Sequence, residues 1–308
     1  MLKITKTVER LSPSAFIKSM TCPYQYYFDK LTNIGWKREE TSLAAGTGTA
    51  FDVFVKKKLI ELGVESSLPL EKIEASMDCK DPKAEILGQT IFDAYLKAGF
   101  IRDTKWVSLE KHSTTKYKGC ILSGQLDATV DIDGVESVLD FKVSGAASKT
   151  GISPKPGYKN IYTTDIYFTD ETPKRLNPGW DKPHKKYRED IPFDEIDLTW
   201  AIQFCFYSWL LDPETAGEKD YRVVVHSPIF AGKYKVLKFV VYEGVITKDF
   251  QRKLLNNIDK FIEKINSGYW DSPIKNKHVL KHGDKLLSRE IAYMLALGES
   301  WMTKVELD

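Results

Sequence analysis

Two Asp residues and one Lys stand in neighbouring strand-like segments of "GQLDATVDIDGVESVLDFKVS", residues 124–144. Side chains alternate across a strand. Leu139, Phe141 and Val143 therefore share one face, and Val138, Asp140 and Lys142 share the other. In the preceding segment Leu126, Ala128, Val130 and Ile132 form the apolar face, so Asp127 points away from it. The intervening Asp133-Gly134 is a tight-turn signal, because Gly takes the positive φ such a turn needs. Pairing through that turn brings Asp127 and Asp140 to one face of adjacent strands. Carboxylates so placed repel and raise each other's pKa. They are tolerated best with a cation between them, and all-oxygen ligation suits Mg²⁺ or Mn²⁺. Lys142 could then orient a water or neutralise charge developing on a phosphate. The same residues also fit an ordinary solvated hairpin face with cross-strand Asp–Lys pairs. The pattern alone leaves both readings open.

The elements that must position these residues follow from periodicity. "LSPSAFIKSMTCPYQYYFDKL" begins with a short helix that Ser12 or Ser14 can cap, broken by Pro23. "AAGTGTAFDVFVKKKLIELG" predicts a helix whose core stripe is Phe51, Phe54, Val55, Leu59 and Leu62. Residues 65–83 carry weak signals, and "KAEILGQTIFDAYLKAGF" predicts a helix ending near Gly99. Three period-two segments, "KWVSLEKHSTTKY", "CILSGQLDATVDIDG" and "VESVLDFKVS", predict an antiparallel meander. Residues 145–198 read as a long insertion with one hairpin near Tyr162–Phe168. "LTWAIQFCFYSWLLD" predicts an apolar helix capped by Asp197 or Thr199. Two strands follow, then a long amphipathic helix from Thr247. After Pro273 comes a basic tail with a short helix near Arg289–Leu297. The order is that of an α/β fold with a central sheet and helices packed on it.

The chain has 308 residues, 45 Lys plus Arg and 43 Asp plus Glu, so net charge alone calls for no polyanionic partner. Cys22, Cys79, Cys120 and Cys205 are widely spaced and signal neither a zinc site nor a disulfide framework. No signal peptide or membrane-spanning run is present, which predicts a soluble cytoplasmic protein with no membrane partner.

The ordered set of motifs resembles the PD-(D/E)XK nuclease superfamily, in particular its RecB-like exonuclease branch. "LSPSAFIKSMTCPYQYYFDKL" is similar to the branch's N-terminal Ser-rich helix with Cys-Pro and aromatics. "GTGTAFDVFV" is similar to its Gly-Thr start of the first core helix, and "GQLDATVDIDGVESVLDFKVS" to its Gly-x-x-Asp strand, hairpin and Asp-x-Lys strand. "QFCFY", Gln203 to Tyr207, resembles its Gln-x-x-x-Tyr helix motif. The resemblance implies a restriction-endonuclease-like core of αβββαβ order, a central mixed sheet flanked by helices, within a single domain spanning residues 1–308. It implies a Mg²⁺- or Mn²⁺-dependent deoxyribonuclease, with exonuclease favoured over structure-specific endonuclease. Asp127 and Asp140 would hold the metal, and Lys142 would lie at the water. Gln203 and Tyr207, at i and i+4 on one helix face, would help position the strand and the lysine. Tyr207 equally fits a core set with Phe204 and Leu211.

Two departures matter. Many members carry a His four residues after the Gly of the first core helix, and here Gly48 is followed at that spacing by Asp52. Asp52 is a third candidate metal ligand, although Asp52 and Lys56 also make an ordinary i,i+4 pair. Some relatives hold an iron–sulfur cluster on one N-terminal and three C-terminal Cys. Cys22 matches the first, but no Cys follows Cys205, so no cluster is expected; His278 and His282 are assigned to a basic surface.

Between Lys174 and Arg188 stand six Lys or Arg against one acid, with Trp180 and Tyr187 interleaved. Basic groups neutralise phosphates and aromatics stack on unpaired bases. Lys185, Lys186 and Arg188 are therefore candidate substrate contacts, with "KNKHVLKHGDK", residues 275–285 of the tail 273–308, as a second basic cluster. The expected partner is DNA, with a recombination or replication protein as a further one. The expected setting is DNA recombination, repair or phage DNA processing, the last in a host-cell cytoplasm. The rival is a non-catalytic member of the fold that binds DNA or protein.

Overall fold

The structure is a computed structural model. It describes residues 2–4, 6, 9–21, 26–31, 43–77, 82–145, 155, 158, 160–169, 172–180, 192–230 and 236–270. The chain begins with β1 (Leu2–Lys3), β2 (Arg10–Leu11), α1 (Pro13–Thr21) and a π-helical turn, Tyr27–Leu31. Next come α2 (Leu43–Glu61), β3 (Glu65–Ser66), α3 (Leu70–Ala75), α4 (Pro82–Lys97) and α5 (Phe100–Asp103). The strands β4 (Trp106–Tyr117), β5 (Cys120–Ile132), β6 (Val135–Phe141) and β7 (Ser144–Gly145) follow. The hairpin β8 (Asn160–Thr169) and β9 (Thr172–Trp180) precedes α6 (Phe193–Ile196) and α7 (Leu198–Leu211). The described chain closes with β10 (Tyr221–Phe230), β11 (Val236–Ile246), α8 (Lys248–Asn266) and β12 (Tyr269–Trp270).

The chain forms two compact units. One comprises Met1–Glu40, Thr114–Gly124 and Gln251–Asp308. Within it β1 pairs antiparallel with β12, and Ser12 Oγ caps α1 by accepting the Ala15 N–H at 3.2 Å. Phe16 and Tyr26 set their rings edge-on to Phe261.

The other unit comprises Thr41–Ser113 and Gln125–Phe250, and it contains the described candidate residues. Here α2, β4, β5, β6, α7 and β10 follow one another in the αβββαβ order of a restriction-endonuclease-like core. The strand order is β3-β4-β5-β6-β10-β11-β8-β9. The sheet is mixed: β5 and β6 are antiparallel, while β6 and β10 are parallel, with Val225 opposite Asp140 and His226 opposite Phe141. Asp133 and Gly134 have φ of 54° and 85°, the paired left-handed residues that a two-residue hairpin requires. The predicted insertion hairpin is present as β8 and β9. Lys185, Lys186, Arg188, Tyr187 and the tail with His278 and His282 lie outside the described residues, as do Cys22 and Cys79. Cys120 and Cys205 are free thiols. Among the described residues, no helix is long and apolar enough to cross a membrane.

The core lies between the sheet and the pair α2 and α4. Phe51, Val55 and Leu59 of α2 meet Ile91, Phe92 and Tyr95 of α4, and Leu139 and Phe141 of β6. Leu62, placed by its spacing on the core stripe, is exposed instead, because α2 ends at Glu61 and Gly63 turns the chain away at φ 87°. Phe51 stands edge-on to Phe141 with ring centroids 5.7 Å apart. Since Asp52 follows Phe51, and Asp140 and Lys142 flank Phe141, this ring contact fixes α2 against the strand that carries the candidate chemistry.

The solvated outer face allowed for β6 does not exist. Val138 and Asp140 are as deeply buried as Leu139 and Phe141. The cause is topological: β6 has a strand on each side, and α7 packs upon it.

The crossing of α2 and α4 depends on Gly88. A Cβ there would come within 2.5 Å of Ala50 Cβ and 2.8 Å of the Phe51 amide nitrogen. Backbone cannot yield as a flexible side chain does, so Gly88→Ala should cost about 1–3 kcal/mol of stability. Urea denaturation checks this; an unchanged midpoint would contradict the close approach.

Candidate metal centre

The register of β5 and β6 pairs Ala128 with Leu139. One step along, Asp127 and Asp140 occupy adjacent strands on the same face. Lys142 lies just past the last residue of β6, yet its backbone is pinned. Its N–H donates to the His226 carbonyl at 3.1 Å, and its own carbonyl accepts from Ser227 Oγ at 2.7 Å. Thus β10 extends the alignment that β6 begins.

The Lys142 ammonium contacts the Asp140 carboxylate and donates to Gln203 Oε1 at 3.0 Å. Gln203 Nε2 in turn donates to the Tyr207 hydroxyl at 3.0 Å. These two α7 residues sit one turn apart, and the helix start is fixed by Asp197, which accepts the Trp200 N–H at 2.9 Å. Phe204 of the same helix is fully buried, whereas Tyr207 is only half-buried and turns its hydroxyl to Gln203. Asp127, Asp140, Lys142, Gln203 and Tyr207 are therefore brought to one place.

Asp52 comes to the same place from α2, together with two groups that periodicity did not single out. Lys56 Nζ lies 2.5 Å from Asp52 Oδ2, 2.5 Å from Glu110 Oε1 and 3.3 Å from Asp127 Oδ1. The Lys56 side chain is only 2% exposed. Glu110 belongs to β4 but has a left-handed φ of 54°, a conformation that costs a non-glycine residue backbone energy. Leu109 and Glu110, neighbours in a strand, are both buried. The regular alternation of β4 is thus broken at Glu110, whose carboxylate turns inward. Its second oxygen accepts from Gln125 Nε2.

Asp52, Glu110 and Asp127 each offer a carboxylate oxygen within 4.8 Å of the others, a spacing that can hold a divalent ion. The donor set is all oxygen, as a hard cation prefers. Asp140 is 1% exposed; its Oδ2 touches the Lys142 ammonium and its Oδ1 has no donor, and Asp52 Oδ1 is likewise buried without one. Oxygens so placed have capacity for a cation.

The electrostatics follow from crowding. Burial pushes Asp140 well above the ordinary carboxylate range, the neighbouring Asp127 adds to this, and Lys142 offsets only part. Burial acts the same way on Asp127, but Lys56, a hydrogen bond received from Asp140, and Lys142 together outweigh it and hold that carboxyl at about 2. Burial pushes Asp52 up to about 7; Lys56 opposes the rise, while Asp127 and Glu110 add to it. Burial also disfavours the charged form of Lys56, yet the three carboxylates keep it firmly protonated.

No family model and no curated protein matches this sequence. Among solved structures, the chain is similar to one from Eubacterium rectale named "Putative exonuclease". The identity is 14%, the TM-score is 0.50, and the alignment covers 85% of this chain and 83% of that one. At this identity the likeness concerns the fold.

The Asp52 shift has a testable sign. The folded state keeps a proton on Asp52 up to about pH 7, whereas an unfolded Asp releases it near 3.8. This contribution is therefore fully present below about pH 4 and is lost as pH rises through 7. In EDTA, wild type should fall relative to Asp52→Asn by about 1–4 kcal/mol between pH 4 and 8. Urea midpoints across that range give the difference; a constant difference would contradict the raised pKa.

Proposed function

We propose that the chain is a divalent-metal-dependent deoxyribonuclease of the PD-(D/E)XK type, RecB-like branch, hydrolysing DNA phosphodiester bonds as an exonuclease. The observation that carries this reading is the convergence of Asp127, Asp140 and Lys142, with Lys142 gripped by the Gln203–Tyr207 pair. The fold shared with the Eubacterium rectale protein, and that protein's name, support it.

Asp127 and Asp140 would hold the cation. Once bound, it would acidify a water and offset charge gathering on the phosphoryl oxygens. Lys142, 24% exposed at the mouth of the buried Asp140, can meet both a water and a phosphate oxygen. Gln203 limits the ammonium to one approach, because its amide is itself oriented by Tyr207. That pre-orientation avoids reorganisation during the reaction. Strand contacts are assigned to Lys185, Lys186 and Arg188 on the basic insertion, which would supply sequence-independent affinity. DNA is the proposed partner, in recombination, repair or phage DNA processing within the cytoplasm.

The test is incubation with linear and covalently closed circular DNA in Mg²⁺, Mn²⁺ or EDTA. Metal-dependent loss of linear DNA alone is expected. Nicking of the circle would redirect the reading to an endonuclease, and intact DNA under every metal with binding preserved would mark a non-catalytic binder. Asp140→Ala should abolish cleavage while its circular dichroism stays that of wild type; full activity in that variant would refute the site.

A further inference from the structure

Three carboxylates that could take a metal ion already share a cation, the ammonium of Lys56. We infer that Lys56 is a fixed internal cation serving the Asp52–Glu110–Asp127 cluster. The centre would then take a single divalent ion, at Asp127 and Asp140, and Asp52 would anchor Lys56 rather than ligate metal. This rests on the metal-dependent reading above and assigns its ligands.

Four observations carry it. First, the ammonium lies within 3.3 Å of all three carboxylates on a side chain almost wholly buried. Moving it away would leave buried charges unpaired, which is far costlier than leaving the pairs intact. Secondly, both Glu110 oxygens are occupied, one by Lys56 and the other by Gln125. The strained backbone at Glu110 thus aims its carboxylate at a lysine and an amide and leaves no oxygen free. Thirdly, coordinating capacity lies at Asp140 as well as at Asp52 Oδ1, the cluster atom that is buried without a partner. Asp140 is 1% exposed; its Oδ2 touches the Lys142 ammonium, and its Oδ1 has no hydrogen-bond donor. Fourthly, four carboxylates here face two ammonium groups. With all four ionised, two formal negative charges remain, which one divalent ion balances.

Lys56 thus acts as a positioning residue. It draws Asp127 to one side through Oδ1, which leaves that carboxylate's second oxygen to act with Asp140.

The experiment is a Mn²⁺ titration of the full chain, following the electron paramagnetic resonance signal of free Mn²⁺. Wild type and Asp52→Asn should each bind one Mn²⁺, and Asp140→Asn should bind none. Lys56→Met should bind a second ion at the vacated cluster, and Mn²⁺ should raise its melting temperature more than that of wild type. Two Mn²⁺ in wild type, loss of binding in Asp52→Asn, or a single ion in Lys56→Met would overturn the assignment. Should Lys56→Met fail to fold, wild type and Asp52→Asn still decide. The two readings fail separately. One Mn²⁺ bound with DNA left intact would sink the nuclease reading alone. Mn²⁺-dependent cleavage with binding lost in Asp52→Asn would sink only the role given to Lys56.

Discussion

Charge buried in a hydrophobic fold must find a partner, and the candidate site of this protein is organised around that demand. Lys56 and Asp140 are both nearly inaccessible to water. An isolated ion there would be prohibitive. The fold answers with opposite charge from separate elements: Asp52 from α2, Glu110 from β4, Asp127 from β5 and Lys142 from the end of β6. Breaking one such buried pair typically costs about 3–5 kcal/mol, so these groups hold the elements in register as well as facing one another. The balance is incomplete, because Asp140 and Asp52 keep buried oxygens without donors. That residual deficit of positive charge is what makes the place a candidate metal centre.

The apolar core decides where the charges meet. Phe51 and Phe141 lock α2 to β6 through an edge-on contact, and Tyr95 of α4 closes on Phe51 with centroids 5.4 Å apart. Tyr95 also reaches His226 Nδ1 at 2.5 Å. Burial holds that imidazole near a pKa of 3 and therefore neutral. His226 lies opposite Phe141 in the parallel pairing, and its carbonyl receives the Lys142 N–H. A polar pair inside the core is thus one bond from the lysine of the candidate site. Packing, strand pairing and site geometry are one connected structure here.

Much of this was legible in the sequence. Period-two alternation and the Asp133-Gly134 turn suffice to bring Asp127 and Asp140 together, and helical spacing pairs Gln203 with Tyr207. Lys56 and Glu110 were not legible, for two different reasons. Lys56 follows Asp52 at the spacing of an ordinary surface ion pair, and nothing local says that this face of α2 turns inward. Glu110 sits in "WVSLEKHSTTKY", where it occupies one place in a regular alternation. Only a left-handed backbone at Glu110 itself reverses its direction, and glutamate carries no signal for that conformation. The burial of both β6 faces escaped for a third reason. It depends on β10 and α7, which arrive some 60 residues or more later in the chain.

Asp52 gains its meaning from these two residues. Many of the nucleases that the sequence resembles carry a His at this position, a neutral donor that needs no counter-charge. A carboxylate in the same place, once ionised, adds a buried negative charge beside Asp127 and Glu110. That charge would repel both were Lys56 not one turn further along the same helix. Conversely, Lys56 could not be buried on α2 without carboxylates to receive it. Glu110 supplies one only through its unusual backbone, and Gln125 keeps that carboxylate from turning away. Asp52, Lys56, Glu110 and Gln125 are therefore best understood as one unit whose members make sense only together. Replacing Asp52 by the His of the resemblance would not restore a simpler metal site. It would strip Lys56 of one of its three carboxylates and leave the other two to hold a fully buried ammonium.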